Sequence, residues 1–183
     1  LISLTGGTIP ANSSCTITVP IKVLAGTPTG TYTNTVASGA LVTNRGTSSG
    51  TSTAPLTVTA ASVSKAFAPA TQAAGLTSTL TITLSNPSTL PTTISAFTDN
   101  LSTMGAGFTV AASPAASSSC AGHNLSAVAG GTSITMTAGT IPAGSSCTIT
   151  VPVQIGGTVT AGTRTNTIAA GALVTSAGSN TLA

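Results

Sequence analysis

The sequence repeats itself at an offset of 132 residues, and this repeat constrains the fold more than any other feature. Residues 4–20 read LTGGTIPANSSCTITVP, and residues 136–152 read MTAGTIPAGSSCTITVP. The same offset aligns TGTYTNTVASGALVT at 29–43 with AGTRTNTIAAGALVT at 161–175. Two matches in one register, without a gap, are typical of a duplicated unit. A unit of about 130 residues is too long for one turn of a solenoid and has the size of one all-β domain.

The repeat divides the chain into two predicted parts. Residues 1–60 are the C-terminal portion of one repeat, and residues 61–183 form a second repeat. The first part ends in the predicted strand APLTVTA at 54–60, whose counterpart would follow Ala183, so the second repeat is expected to lack its last strand. We expect about 1.4 repeats, excerpted from a longer tandem array. The start of the chain has neither Met nor the features of a signal peptide.

Apolar residues alternate with polar ones over short stretches of the repeat. The pattern is clearest in Cys15–Val23 and in Cys147–Ile155, and it also occurs over 56–59 and 79–85. Alternation of period two predicts strands with one buried face. Gly and Pro at short intervals predict the turns between these strands.

The predicted fold class is all-β, with antiparallel Ig-like β-sandwich repeats in tandem. We expect about seven to nine strands per repeat, since no stretch has the period and caps of a helix. Pro20 and Pro152 fall inside predicted strands, which indicates edge strands or bulges because proline donates no ladder hydrogen bond. No apolar run approaches the ~20 residues of a membrane-spanning helix, so no membrane span is expected in this segment.

Charge is nearly absent, which excludes several classes of function. The chain has four Lys and Arg residues and one acidic residue, Asp99, among 183 residues. A single acid excludes paired-carboxylate catalysis and a carboxylate cage for Ca²⁺ or Mg²⁺. Four scattered basic residues cannot neutralise a phosphate backbone, so no nucleic-acid partner is expected. We predict that the protein is not an enzyme.

The three cysteines are explained by the repeat. Cys147 is the counterpart of Cys15, whereas the counterpart of Cys120 would precede Leu1. We therefore predict a Cys120–Cys147 disulfide, with Cys15 unpaired. Such a bridge stabilises a fold by about 3–4 kcal/mol on the chain-entropy model and indicates an oxidising, extracellular setting. The alternative is a metal site of Cys120, His123 and Cys147, but zinc needs a fourth ligand. We predict neither metal nor cofactor.

Two other short motifs have a structural and a functional interpretation. Gly46–Gly50 matches the G-x-S-x-G elbow of serine hydrolases, but a flexible loop suits a chain this rich in Ser and Gly better. Asp99 with Asn100 is expected to cap a turn, and His123 to be a loop residue beside the disulfide.

Two repeat positions carry polar residues that suggest structural hydrogen bonds. Asn34 and Asn166 occupy matching positions, which predicts a hydrogen bond to a neighbouring turn. Tyr32 invites comparison with the tyrosine corner of Ig domains, but its counterpart is Arg164. The fold therefore cannot depend on the phenol.

Five blocks of the sequence carry a family resemblance: AFAPAT at 66–71, LTSTLTITLSNP at 76–87, FTDNL at 97–101, AGTIPAGSSCTITVPV at 138–153 and TNTIAAGALVT at 165–175. They resemble the Thr-rich Ig-like tandem repeats of large bacterial cell-surface proteins, a conserved repeat domain of unknown function. The resemblance covers essentially the whole chain. It implies an extracellular β-sandwich repeat in a stalk, adhesin or surface fibre, with no catalytic residues to carry over.

These features predict a structural building block of an extracellular bacterial filament, sheath or surface stalk. β-Proteins usually protect their edge strands with charges, and this chain has 39 Thr and 24 Ser but few charges. Its expected partners are copies of itself. The missing last strand predicts strand complementation by the next stretch of chain or by a neighbouring subunit. The alternative is a surface adhesin that binds a ligand through loops such as 99–107 or 113–131.

Overall fold

The computed structural model describes residues 2–24, 27–113 and 115–180, and within these ranges the protein is all-β with antiparallel sheets. The described residues contain no α-helix, and a 3-10 helix, Leu101–Met104, follows the seventh strand. The strands in chain order are β1 (Gly30–Val36), β2 (Val42–Thr43), β3 (Gly46–Thr47), β4 (Ser52–Val58), β5 (Ser62–Ala68), β6 (Thr77–Asn86), β7 (Thr92–Asn100), β8 (Phe108–Val110), β9 (Ser117–Ser118), β10 (Leu125–Ala127), β11 (Ser133–Met136), β12 (Thr140–Ile141), β13 (Ser145–Ile155), β14 (Leu173–Thr175) and β15 (Gly178–Ser179).

Two sheets between residues 62 and 179 share one core. The first has the strand order β5-β6-β13-β8, with β9 also pairing with β13. The second has the order β10-β11-β7-β14-β15, with β12 pairing with β7. Each fully buried aliphatic or Phe side chain contributes about 1.5–3 kcal/mol, so a core without tryptophan can hold both sheets. The largest fully buried side chains from the two sheets are Leu80, Ile82, Leu84, Phe97, Val110, Ile134, Met136, Ile141, Ile149, Val151 and Leu173.

The centre of the first sheet follows the predicted alternation. Ten residue pairs join β13 to β6, from Ser145 opposite Asn86 to Gln154 opposite Thr77. Alternate residues of both strands are buried, and those between them are half-buried or exposed. The strands predicted over 79–85 and in the matching part of β13 are therefore present. Residues 61–180 carry more strands than expected because β9, β12 and β15 have only two residues, too few to leave an alternation in the sequence.

Pro152 lies inside a strand that is paired on both sides, so the expected edge strand or bulge is wrong at this position. Its carbonyl oxygen accepts a hydrogen bond from the Ala111 N–H at 2.9 Å. The proline nitrogen faces the same side, since the N–H and C=O of a strand residue point the same way. On that side β8 ends at Val110 and β9 begins at Ser117. The proline lies where the partner strand changes, so its missing N–H removes no ladder hydrogen bond.

Residues 2–24 form no strand, which corrects the prediction at Cys15–Val23. Ile17 is 58% exposed, whereas its counterpart Ile149 is fully buried. The reason is pairing, because β13 is held by β6, β8 and β9, which all precede it in the repeat. Residues 2–24 pair with none of the strands in the described part of the chain. The edge strand or bulge predicted at Pro20 is absent for the same reason.

Two hairpins organise residues 27–60. β1 pairs with β4 over seven residue pairs, from Gly30 opposite Val58 to Val36 opposite Ser52. β2 pairs with β3 through two residue pairs. Every residue of β1 is exposed, and β4 is exposed except for the half-buried Val58. Neither hairpin contributes a side chain to the buried cluster.

Some hydrogen bonds recur at the repeat offset. In the β2–β3 hairpin, the Thr43 hydroxyl donates to the Gly46 carbonyl oxygen at 3.0 Å. In the β14–β15 hairpin, the Thr175 hydroxyl donates to the Gly178 carbonyl oxygen at 2.7 Å. The same short turn is thus closed by the same side-chain contact at both positions.

Different residues make an equivalent contact at the Tyr32 position. The Tyr32 hydroxyl donates to the Pro28 carbonyl oxygen at 2.9 Å. Its counterpart Arg164 donates from its guanidinium to the Thr160 hydroxyl at 3.1 Å. Both side chains reach back four residues along the chain, so the contact survives without the phenol.

Candidate functional site

A disulfide joins the two cysteines of the second part of the chain. Cys147 lies on β13 and Cys120 follows β9, with Cα atoms 5.0 Å apart, and both residues are buried. The His123 ring lies beside the bridge, with Nδ1 at 2.8 Å from the Cys120 carbonyl oxygen. Cys15 is free and exposed.

The alternative metal site does not form at these residues, because both sulfur atoms are bonded to each other. Within the part of the chain that the structure describes, no group of three or more His, Cys, Asp or Glu residues is placed to hold a metal ion.

The G-x-S-x-G segment has no hydrolase context. Gly46 and Thr47 form β3, one side of a two-residue hairpin, and no helix follows them. A nucleophile elbow needs a sharp turn from a strand into a helix. The segment is an exposed hairpin and loop.

The candidate ligand-binding loops are tied to the interior of the protein. In loop 99–107, Leu101 is fully buried and Met104 is 5% exposed. Loop 113–131 contains Cys120 of the disulfide and two short strands. A shallow surface depression is lined by residues such as Ser62, Asn86 and Ser145, and none of its lining residues belongs to either loop.

The polar cluster with the most unusual chemistry is centred on Asp99. This residue lies on β7 with its side chain fully buried, so the expectation that it caps a turn is wrong. Its Oδ1 is 2.9 Å from the Lys65 Nζ, and the Lys65 side chain, which comes from β5 of the other sheet, is 13% exposed. The chain therefore uses its only acid and one of four basic residues in a buried ion pair.

Asn166 completes the cluster from the segment before β14. Its Nδ2 donates to the Asp99 Oδ2 at 2.8 Å. Its Oδ1 lies 2.7 Å from the Thr103 hydroxyl on the 3-10 helix. An amide oxygen only accepts, so the hydroxyl is the donor. The predicted contact of Asn166 with a turn is made through Thr103, but its main partner is the carboxylate.

Asp99 faces the interior because β7 contains an irregularity. Thr92 and Ile94 are buried, followed by two exposed residues, and then Phe97 and Asp99 are buried. The register with β14 shifts at this point, where Val174 lies opposite Ala96 and Thr175 opposite Ile94. The extra residue moves the odd-numbered positions after it to the inner face. Strict alternation from Ile94 would place Asp99 outside, and only the apolar Phe97 two residues earlier signals its true side.

The ionisation of Lys65 is affected by this environment. Removal of the ammonium from water lowers the pKa of Lys65 below its usual 10.5, and the hydrogen bond and charge of Asp99 oppose this effect. The buried side-chain nitrogen and oxygen atoms of the described residues all have hydrogen-bond partners. The cluster is therefore fully satisfied and holds an amine, a carboxylate and a carboxamide in contact.

No helix among the described residues is long and apolar enough to cross a membrane. A comparison with curated proteins and one with solved structures found no match. A family model described as "Domain of unknown function (DUF7933)" matches residues 1–58 and 61–183. The matched residues include both sheets of the core and the buried cluster. The chain therefore belongs to the DUF7933 family.

Proposed function

We propose that this protein is a structural building block of an extracellular bacterial filament, sheath or surface stalk, and not an enzyme. Its units are Ig-like β-sandwich repeats of about 130 residues in tandem. The observation that carries the proposal is the β1–β4 sheet, which is two-stranded, exposed on both faces and free of charged residues.

The faces of this sheet suit contact with another copy of the chain. On one face, Thr31 lies opposite Thr57, with their hydroxyl oxygens 3.2 Å apart. On the other, Tyr32 and Leu56 lie opposite each other and are 44% and 41% exposed. Proteins usually protect exposed edge strands with charged residues, proline or bulges. In β1 and β4, Pro55 is the single proline, and neither strand has a charged residue. Packing between copies would bury the apolar face without charge repulsion.

A second contact is proposed at residues 162–168, the counterpart of β1. β1 pairs with β4 over its full length, whereas residues 164–168 have no strand partner. Asn166 is anchored in the buried cluster and Ile168 packs partly against the core, so the segment is held in place. We propose that a strand equivalent to β4 pairs here, supplied by the next stretch of the chain or by a neighbouring copy.

The disulfide supports the proposed extracellular setting. Structural disulfides persist in oxidising compartments and are rare in the bacterial cytosol. The Cys120–Cys147 bridge therefore supports an extracellular or cell-surface location.

The assembly proposal is tested by electron microscopy and sedimentation of the purified chain at neutral pH. We expect filaments or sheets. The double variant Asn34→Lys/Ser52→Lys puts two charges on the face of β1 and β4 that carries Tyr32 and Leu56, which lowers the sedimenting fraction by like-charge repulsion, and high salt restores it. A peptide with the sequence of residues 52–58 competes for the unpaired residues 164–168 and also lowers the sedimenting fraction.

The matched control is Ser49→Lys/Thr51→Lys, which adds the same charge in the loop before β4. It leaves assembly unchanged, and a scrambled peptide has no effect. If the unmodified chain stays as dispersed monomers at neutral pH, the proposal is wrong.

A further inference from the structure

The Lys65–Asp99–Asn166 cluster anchors residues 162–168 through Asn166, but the proposed assembly makes no use of its chemistry. Its composition is that of a reaction centre: a primary amine, a carboxamide, and a carboxylate in contact with both. We propose that Lys65 and Asn166 become joined by an amide bond within the folded protein, with Asp99 as the group that carries the proton. This internal cross-link does not depend on the proposed function.

The geometry brings the two reacting groups to one carboxylate. Asp99 Oδ1 is 2.9 Å from the Lys65 Nζ, and Asp99 Oδ2 is 2.8 Å from the Asn166 Nδ2. The amine and the amide therefore approach from the two oxygens of a single planar group. Because one carboxylate holds both groups, the proposed step is intramolecular and needs no bimolecular encounter.

The carboxamide is also polarised for attack. The Thr103 hydroxyl donates to the Asn166 Oδ1 at 2.7 Å, and the Thr167 N–H donates to the Thr103 oxygen at 3.2 Å. The second hydrogen bond fixes the direction of the first. A donor at the carbonyl oxygen stabilises the negative charge that develops there when a nucleophile adds.

The reaction balances without any other reagent. The Lys65 ammonium gives one proton to the Asp99 carboxylate and becomes a neutral amine. Its nitrogen attacks the Asn166 Cγ, and the Cγ–Nδ2 bond breaks. Protons return from Asp99 and from the attacking nitrogen to the leaving group, which departs as ammonium. One ammonium group and one primary amide become one secondary amide and one ammonium ion, and Asp99 ends as it began.

Burial favours this outcome in two ways. The pKa of Lys65 is lowered by desolvation, so the neutral, nucleophilic form is more accessible than in water. The Asp99 side chain is fully buried and Asn166 is 9% exposed, so little water competes with the amine.

A buried ion pair alone is a poor source of stability, because the desolvation cost can exceed the attraction.

The bond would join the start of the second part of the chain to its end. Lys65 lies on β5 and Asn166 lies shortly before β14. Tension applied to residues before Lys65 and after Asn166 would pass through the cross-link instead of pulling out the strands between them.

The test is a trypsin digest of the denatured, reduced chain followed by mass spectrometry. The four basic residues, Lys22, Arg45, Lys65 and Arg164, give few fragments. An acylated Lys65 is not cleaved, so we expect fragment 46–164 joined to fragment 165–183, with a mass about 17 Da below their sum for the lost ammonia. Free fragments 46–65, 66–164 and 165–183 of unmodified mass would overturn the proposal.

A second outcome would rule out Asn166 as the partner of Lys65. If Lys65 condenses with Asp99 instead, fragment 46–164 loses about 18 Da of water and fragment 165–183 is released. The digest needs no variant, so it does not depend on whether a variant folds.

One variant and one control test whether Lys65 is a reacting group. Lys65→Arg keeps a positive charge but is not nucleophilic, and trypsin then releases 46–65 and 165–183 as separate fragments. The matched control is Asn34→Asp, at the same repeat position on the exposed strand β1, which leaves the joined fragment intact. Because assembly is measured separately, loss of the cross-link and loss of filaments are distinguishable.

Discussion

Asp99 is the only acidic residue of the chain, and it lies where an unpaired charge is most costly. Taking a carboxylate out of water costs several kcal/mol after relaxation, and the cost is offset only when its oxygens are satisfied. Lys65 satisfies one oxygen and Asn166 the other. Well-packed apolar residues would stabilise such a position at least as well. The contact of an amine and a carboxamide with one carboxylate therefore favours a chemical role over a packing role.

The role of Thr103 in this chemistry can be measured at the level of one hydroxyl. In chain isolated in denaturant and then refolded, Thr103→Val slows the appearance of the ammonia-loss product by about 100-fold, because one donor to the Asn166 carbonyl oxygen is lost. Intact mass against refolding time gives the rate.

The conservative variant separates chemistry from packing. Thr103→Ser keeps the hydroxyl and retains the wild-type rate. Equal rates for Thr103→Val and the wild type would show that the hydroxyl has no part in the reaction.

At the level of strands, alternation is necessary for a sheet but pairing decides whether a strand forms. Cys15–Val23 and the matching part of β13 have nearly the same sequence. Only β13 has neighbours on both sides, and only there are the apolar residues buried. The unpaired segment keeps its apolar side chains in water, where they contribute no burial free energy.

This difference predicts different effects for the same substitution in the two copies. Ile149→Ala removes a fully buried side chain and lowers the free energy of unfolding by about 2–5 kcal/mol. Ile17→Ala removes a side chain that is 58% exposed, and it changes the free energy of unfolding by less than about 0.5 kcal/mol. Chemical denaturation measures both values. A comparable loss in the two variants would mean that residues 15–23 are packed in solution.

For the molecule as a whole, the core and the disulfide lie in the same part of the chain. The buried cluster comes from residues 61–173, and the disulfide joins β13 to the loop after β9 within it. With few aromatic residues, this core gains less from each buried side chain than an aromatic core would. A covalent link adds stability by limiting the unfolded chain.

The contribution of the disulfide is predicted from its loop. The double variant Cys120→Ser/Cys147→Ser opens a loop of sequence separation 27 and lowers the free energy of unfolding by about 3–4 kcal/mol. Denaturation in urea measures the change. Cys15→Ser, which removes an exposed free thiol, is the control and has no effect. An unchanged midpoint for the double variant would contradict the entropic argument.

The sequence by itself determined the antiparallel all-β class and the strands of the central pair β6 and β13. It could do so because alternation and turn residues are local signals. The Cys120–Cys147 pairing could also be derived from it, since the repeat offset relates the cysteines to one another.

Only the tertiary structure decided which alternating segments find partners and where the polar cluster lies. Pro152 is tolerated because its neighbour changes from β8 to β9, and Asp99 turns inward because β7 contains an extra residue. Lys65, Asp99 and Asn166 are far apart in sequence and meet only when both sheets close on one core. Local patterns carry no information about such meetings, because they depend on which strands lie side by side.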